Sequence, residues 1–175
     1  VYHQYGAGIT HSTHPFKKYF EALQIGEQLV TDKRTITTED INRFADLSGD
    51  HFYAHLQETD FNGTMFERQV AHGYLIMSIA AGLFVDGYEK NPVLLNYGID
   101  ELRFTKPVYP GAEVYIRFTC KEKLPNDKRV IEKPEDFKRG DDIDKGIVKW
   151  LVEMIDETGE ITGVATILTM VAKKE

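Results

Sequence analysis

The feature that most constrains the fold is residues 70–85, where apolar or small side chains occupy nearly every face of a helix-length segment. A helix that is apolar all round is normally enclosed by other structure. Gly73 and Gly82 would each cost roughly 1 kcal/mol relative to alanine in an exposed helix, so they indicate close approach by neighbouring backbone. The segment therefore predicts one long helix at the centre of the molecule.

Most of the remaining chain has the composition of β-strands. Stretches rich in β-branched and aromatic residues, each bounded by turn-forming residues, predict strands at residues 28–31, 93–104, 113–123, 148–155 and 161–171. Glu157-Thr158-Gly159 predicts a hairpin turn between the last two of these strands. The order predicts an α+β fold in which one antiparallel sheet wraps around a long central helix.

The domain organisation follows from the length and from the two ends of this pattern. A chain of 175 residues suits one domain. Residues 1–19 lack periodicity and hold three of the six histidines, which predicts an N-terminal arm with solvated histidines before a domain at residues 20–175. The charged residues 124–146 predict a long exposed excursion. Because Val1 is not Met, we expect either a trimmed chain or a piece of a longer one.

Composition argues against several functional classes. The formal charge of −7 disfavours a nucleic-acid binder. The longest apolar run, residues 73–85, is well short of the roughly 20 residues of a membrane-spanning helix, and no secretory signal is visible. The lone Cys120 cannot form an internal disulfide and is expected to be a buried bystander in a reducing compartment. We therefore expect a cytoplasmic protein without nucleic-acid or membrane partners.

An acidic and an imidazole side chain follow a short predicted helix. Thr37 has the character of an N-cap and Gly49 of a left-handed C-terminal residue, so Asp50 falls just beyond the helix. Asp50 and His55 lie five positions apart on a loop and could share one water molecule, the carboxylate taking a proton and the imidazole exchanging one near neutral pH. The alternative is structural, with Asp50 capping a turn and His55 satisfying backbone groups.

The start of the long helix is a second candidate element. The first amides of a helix lack intrahelical acceptors and lie at the positive end of its dipole, so the Gly73 amide could hold a developing oxyanion. His72 beside it is equally compatible with a packed or capping histidine. Arg103 and Lys106, at the end of a predicted strand, could contact an anionic group or lie on a solvated face.

A metal site is not expected from the histidine pattern. His51 and His55 have the H-x-x-x-H spacing of metal ligands on a helix. Gly49 and the intervening aromatic residues indicate irregular backbone instead, and neither a glutamate between the histidines nor a cysteine cluster is present.

Three motifs together resemble the MaoC-type dehydratase family, the (R)-specific enoyl-CoA hydratases of the hotdog fold. The family motif F-A-x-x-S-G-D-x-N-P-x-H matches residues 44–55, V-x-H-G matches residues 70–73, and R-F-x-x-P-V-x-P-G matches residues 103–111. The resemblance spans about residues 22 to 172. One departure is that Phe52 and Tyr53 replace the usual Asn-Pro.

This resemblance implies a hotdog fold and a hydratase that acts on an acyl-CoA thioester. It implies that Asp50 and His55 are a catalytic dyad and that the Gly73 amide holds the thioester carbonyl. Four side chains are implied to contact substrate: Phe52, Tyr53, His72 and Arg103. No metal is implied, no cofactor beyond the CoA of the substrate, and a homodimer or a multiple of dimers is expected because pairing buries an open sheet edge.

Within the family, the version S-G-D-H-F-Y-A-H resembles the hydratase domains of bifunctional phenylacetate-degradation proteins. Those domains follow an aldehyde dehydrogenase and hydrate the oxepin ring of a CoA thioester. The resemblance therefore implies oxepin-CoA hydrolysis and a fused or associated aldehyde dehydrogenase. Two alternatives stay open, an acyl-CoA thioesterase and a noncatalytic domain that binds acyl groups or contributes to assembly.

Overall fold

The computed structural model describes residues 13–85, 87–125 and 143–174. Its strands form one antiparallel sheet: β1 (Gln28–Val30), β2 (Arg34–Thr35), β3 (Val93–Phe104), β4 (Glu113–Leu124), β5 (Lys145–Ile155) and β6 (Ile161–Ala172). The strand order is β1-β4-β5-β6-β3, and β2 also pairs with β4. Two α-helices accompany the sheet: α1 (Thr38–Ser48) and α2 (Gly73–Phe84). Three short 3₁₀ helices complete the described structure: Pro15–Lys17, Phe20–Ala22 and Tyr53–His55.

The core lies between α2 and the concave face of the sheet. In β4 the alternating residues Val114, Ile116, Phe118 and Cys120 are buried, as a strand with one covered face requires. Trp150 on the neighbouring β5 has no exposed surface, and its indole Nε1–H donates to Thr169 Oγ1 at 2.9 Å. Burial also raises the pKa of the Cys120 thiol to about 11. Cys120 is 0% exposed, which confirms the prediction that it is buried, and the raised pKa makes its thiol a poor nucleophile.

The helix α1 has the ends that the sequence predicts. Thr37 and Asp40 form a reciprocal capping box, and Arg34 donates to both Asp40 carboxylate oxygens at 3.1 and 2.9 Å. Gly49 ends the helix in the left-handed conformation at φ 78°. Because both ends are fixed, Asp50 leaves the helix at a defined point.

The helix α2 begins three residues later than the predicted segment. Residues 70–72 lie outside the helix, where the Val70 amide donates to the Ala54 carbonyl (2.9 Å) and the Ala71 amide to the Val108 carbonyl (2.8 Å). The prediction that other structure surrounds this helix on every side is wrong within one chain, because Tyr74 is 66% exposed. Five of its side chains are buried: Leu75, Ile76, Met77, Ala80 and Phe84. One side of α2 packs on the sheet and the other is open.

The two glycines of α2 differ. An ideal Cβ on Gly73 would lie 2.4 Å from Phe104 Cε2, so the predicted close approach exists there, although a side chain makes it. A Cβ on Gly82 would meet none of the described residues within 4 Å. The prediction of close packing is therefore wrong for Gly82.

The structure bears on the predictions for the N-terminal arm and for the charged excursion at residues 124–146. His14 and Phe16 are buried against the aromatic core, so the histidines before residue 20 are not all solvated. Residues 1–12 and 126–142 lie outside the described residues, and the arm and the excursion stay predictions there. The margins of the predicted excursion belong to β4 and β5. Within the described ranges, no helix combines the length and apolarity that crossing a membrane requires.

Candidate active site

Asp50 lies on the turn that follows α1. Its amide donates to Ser48 Oγ (3.2 Å), and its Oδ1 accepts from the Phe52 amide (3.2 Å). The carboxylate thus does stabilise a local turn, as the structural alternative proposes. Its second oxygen has no protein hydrogen-bond partner among the described residues and is available to a ligand.

His55 ends the 3₁₀ helix Tyr53–His55. Its Nδ1 lies 2.7 Å from the Val70 carbonyl oxygen. Because a carbonyl only accepts, Nδ1 carries a proton in this contact, and in the neutral ring Nε2 has a free lone pair. The fold therefore fixes the tautomer that presents a basic nitrogen away from the backbone.

His72 lies behind His55, with ring centroids 3.7 Å apart and planes at 26°. It is 1% exposed, and its Nε2 donates to the Asp50 main-chain oxygen at 2.9 Å. Burial lowers the pKa of His72, and the Asp50 carbonyl only partly opposes that shift. Nδ1 has no hydrogen-bond partner within the described part of the chain. His72 is thus a neutral ring that connects the Asp50 loop to the start of α2 and lies away from the pocket surface.

The structure brings the three groups together. One ligand-capable atom each of Asp50, His55 and His72 lies within 4.8 Å of the other two. One water can bridge Asp50 and His55 at this spacing, because two hydrogen bonds of about 2.8 Å reach up to roughly 5.6 Å. The arrangement can hold and deprotonate a water molecule.

The same three groups include the residue types that bind metal ions. Ligand atoms about 2.0–2.1 Å from a tetrahedral zinc ion lie roughly 3.4 Å apart, and His72 Nε2 is engaged by the Asp50 carbonyl. His72 could therefore join a zinc site only through Nδ1 or by giving up the Nε2 contact. His51, the other member of the H-x-x-x-H pair, instead faces Asp46 on the surface, with Nε2 3.2 Å from Oδ1. The absence of a metal stays a prediction.

A pocket of about 400 Å³ adjoins His55. Its walls are largely apolar, with Phe52, Phe66, Ile76 and Phe104 among them. Phe52 therefore lines the pocket, whereas its neighbour Tyr53, in ring contact at 4.4 Å, is not part of the lining.

Gly73 lines the pocket as the first residue of α2. Its N–H has no acceptor within the helix and lies at the positive end of the helix dipole. The Phe104 ring occupies the space where a Cβ would be. A glycine is therefore needed for this amide and this aromatic wall to coexist.

Arg103 and Lys106 take different positions from those that their sequence suggests. Arg103 is outside the pocket lining, and its guanidinium donates to the adjacent Leu102 carbonyl at 2.7 Å. Lys106 lines the pocket, but its Nζ pairs with Asp156 Oδ2 (2.6 Å) and with the Glu160 carboxylate. Hydrogen bonds to these carboxylates raise the Lys106 pKa. Because two carboxylates offset its charge, Lys106 is a poor anion ligand in this arrangement.

Comparison with known proteins identifies the family. The family model described as "MaoC like domain" matches residues 21–138, which is more than half of the chain. The chain therefore belongs to the family of proteins with a MaoC-like domain.

Two curated relatives cover part of this sequence. Protein MaoC of Klebsiella aerogenes is 50% identical over 116 residues, which are 66% of this chain and 34% of that protein. The 3-hydroxyacyl-thioester dehydratase Z of Mycobacterium tuberculosis is 35% identical over 96 residues, which are 53% of this chain and 64% of that protein. The chain thus spans about a third of the first relative and less than two thirds of the second.

Solved structures confirm the predicted fold. A monoamine oxidase regulatory protein from Archaeoglobus matches with a TM-score of 0.75 and 28% identity, over 90% of this chain and 96% of that one. A Mycobacterium tuberculosis protein described as a double hotdog fold matches with a TM-score of 0.63 and 18% identity, over 90% of this chain and 44% of that one. The chain has the α+β hotdog fold.

Proposed function

We propose that this chain is a hydratase that adds water across the activated double bond of an unsaturated acyl-CoA thioester. The observation that carries the proposal is that the Asp50 carboxylate and the His55 imidazole each offer an atom within 4.8 Å of the other. His55 lines the apolar pocket, whereas Asp50 is outside the lining. A binding domain has no need of a carboxylate and a tautomer-fixed imidazole aimed at one water. Both are suited to proton transfer.

In the proposed reaction, Asp50 and His55 Nε2 hold the attacking water. One of them takes a proton as the hydroxide adds to the β-carbon, and the electron pair of the double bond moves to the thioester oxygen. The Gly73 amide donates to that oxygen, and we expect this stabilisation of the enolate to contribute most. Return of the proton to the α-carbon completes the hydration and restores both side chains.

The relatives support this reaction class. Dehydration of a 3-hydroxyacyl thioester, the reaction in the name of the mycobacterial relative, is the reverse of the proposed step. The shared family and the motif residues Asp50, His55 and Gly73 are consistent with the same chemistry here. The reaction as proposed needs no cofactor besides the CoA of the substrate.

The proposed substrate is oxepin-CoA, a CoA thioester whose acyl group carries a seven-membered oxepin ring that opens after hydration. Phe52 supports this choice because it replaces the usual asparagine of the motif and lines the pocket together with Phe66 and Phe104. Flat aromatic walls pack well against a planar ring. The proposal extends to a cytoplasmic location and to an aldehyde dehydrogenase, fused or associated, that consumes the ring-opened product.

We further propose a homodimer or a multiple of dimers. The strand β3 is at the edge of the sheet, and its Leu95, Ile99 and Phe104 are 41–44% exposed. Pairing with a second copy would cover these side chains and the open side of α2. A light-scattering mass equal to one 20.0 kDa chain would contradict this part of the proposal.

A product assay with oxepin-CoA beside crotonyl-CoA tests the function. We expect hydrated product with the thioester intact, and faster turnover of oxepin-CoA. A thiol reagent monitors free CoA in the same reaction, because stoichiometric thiol release would identify a thioesterase instead. Binding of both thioesters without any conversion would identify a noncatalytic acyl-binding domain.

A further inference from the structure

The segment before α2 holds Ala54 and His55 through three hydrogen bonds. The Val70 amide donates to the Ala54 carbonyl (2.9 Å), and the His55 Nδ1–H donates to the Val70 carbonyl (2.7 Å). The Gln69 side chain supplies the third, as its Nε2 donates to the His55 main-chain oxygen at 2.8 Å. Val70 therefore fixes the ring of His55, and Gln69 fixes its main-chain oxygen.

Gln69 is built into this position rather than lying on the surface. It is 5% exposed, and its Nε2 also donates to Asn42 Oδ1 on α1 at 3.0 Å. It is outside the pocket lining, and its amide nitrogen is already paired with His55 and Asn42. A buried amide donor costs free energy unless it is paired, which makes the bond to His55 hard to give up.

The same segment also leads to the amide that faces the pocket. Gln69 is four residues before Gly73, and the Ala71 amide is anchored to the Val108 carbonyl between them. The bond from Gln69 thus sets the position of the His55 backbone relative to Gly73. A reaction that uses both groups depends on that distance, because misplacement by about 1 Å can lower the rate by roughly 100-fold.

We propose that Gln69 is a positioning residue for His55, holding the imidazole so that Nε2 faces the bound water. This inference rests on the proposed hydratase function and assigns Gln69 a role through His55, without contact to substrate. A solely structural role would instead lower stability and activity together, in proportion to the folded fraction.

Gln69→Met tests this, because it keeps the length and the buried volume of the side chain while removing the donor. We expect kcat to fall about 10- to 100-fold with KM within twofold. The matched control is Asn42→Ala, which removes the α1 partner of Gln69 and leaves the bond to His55 available. The control should keep kcat within twofold.

The ring proton of His55 gives a readout that does not depend on turnover. In wild type and in Asn42→Ala, the Nδ1 proton should be protected from exchange and visible by NMR, whereas in Gln69→Met it should broaden or disappear. An unchanged resonance and kcat in Gln69→Met would overturn the proposal. Equal losses of kcat and of the resonance in Gln69→Met and Asn42→Ala would also overturn it. That result would show that the important contact of Gln69 is the one with Asn42 on α1. If wild type hydrates no enoyl thioester, the proposed function fails, while the resonance still decides the role of Gln69.

Discussion

The centre of the sheet and the segment that carries the candidate site are built in opposite ways. On β5, Val148, Trp150 and Val152 have no exposed surface, and packing surrounds each of them. Between α1 and α2, residues 49–72 contain a single 3₁₀ turn, and Asp50 and His55 are held by a few directional hydrogen bonds. Stability should therefore respond to substitutions in the first region and activity to substitutions in the second.

The largest loss of activity without a loss of stability is expected from Asp50→Asn. Asparagine can still accept the Phe52 amide through Oδ1, so the turn should persist. The amide cannot take a proton from water, and loss of a general base lowers rates by roughly 10²- to 10⁴-fold. We expect kcat for enoyl-thioester hydration to fall about 1000-fold, with a melting temperature within 2 °C of wild type, an allowance of about 0.5 kcal/mol.

Asp46→Asn is the matched control for that experiment. Asp46 is an exposed carboxylate on α1 that pairs with His51 and, unlike Asp50, does not belong to the cluster with His55 and His72. Its substitution should change kcat by less than twofold. If Asp50→Asn retains more than a tenth of wild-type turnover, the carboxylate is not the base and the contrast between the regions disappears.

The converse result is expected from Trp150→Phe in the sheet centre. The substitution leaves a cavity beside Phe118 and Phe84 and leaves Thr169 without its indole partner. Together these should lower the free energy of unfolding by about 2–3 kcal/mol. Urea titration measures the loss, with Leu47→Ala at an 85% exposed position as the neutral control. Turnover per folded molecule should stay within twofold, and a large specific loss of kcat would break the comparison.

Much of the fold was predictable because it depends on local patterns. The ends of α1 were predicted from Thr37 and Gly49, whose side chain and backbone preferences act within a few residues. The five predicted strands agree with β1, β3, β4, β5 and β6 to within three residues, because alternating side chains and turn residues define their limits, whereas the two-residue β2 was not predicted. The site motif was predicted by family resemblance, and only the structure shows how close Asp50 and His55 come.

What escaped prediction depends on contacts distant in sequence. The start of α2 shifted because Val70 and Ala71 pair with backbone 16 and 37 residues away. The neighbours of Lys106 could not be predicted either, because Asp156 is 50 positions later. Gln69 carried no signal at all, since a single glutamine becomes informative only when His55 and Asn42 are placed around it.

The smallest expected effect is a change in stability at Asp156, which connects the sheet to the pocket through Lys106. It lies at the end of β5, and its partner Lys106 lines the pocket. Burial alone would raise the Asp156 pKa, but hydrogen bonds from Lys106, Thr158 and backbone amides outweigh it and lower the pKa to about 2. A folded-state pKa below the unfolded value means that the unfolded chain binds more protons, so the stabilisation is complete above about pH 5 and is lost as pH falls through 3.8 toward 2.

Asp156→Asn should therefore remove about 1–2 kcal/mol of stability at pH 6, a figure reduced from the full pKa difference because Lys106 is partly exposed to solvent. The variant and wild type should converge near pH 2, where the wild-type carboxyl is being protonated as well. Urea titrations at several pH values measure the gap, with the exposed Glu58→Gln as control. A gap that stays constant from pH 6 to pH 2 would show that Asp156 acts through its turn geometry, not through its charge, and that the pocket wall at Lys106 is electrostatically independent of the sheet.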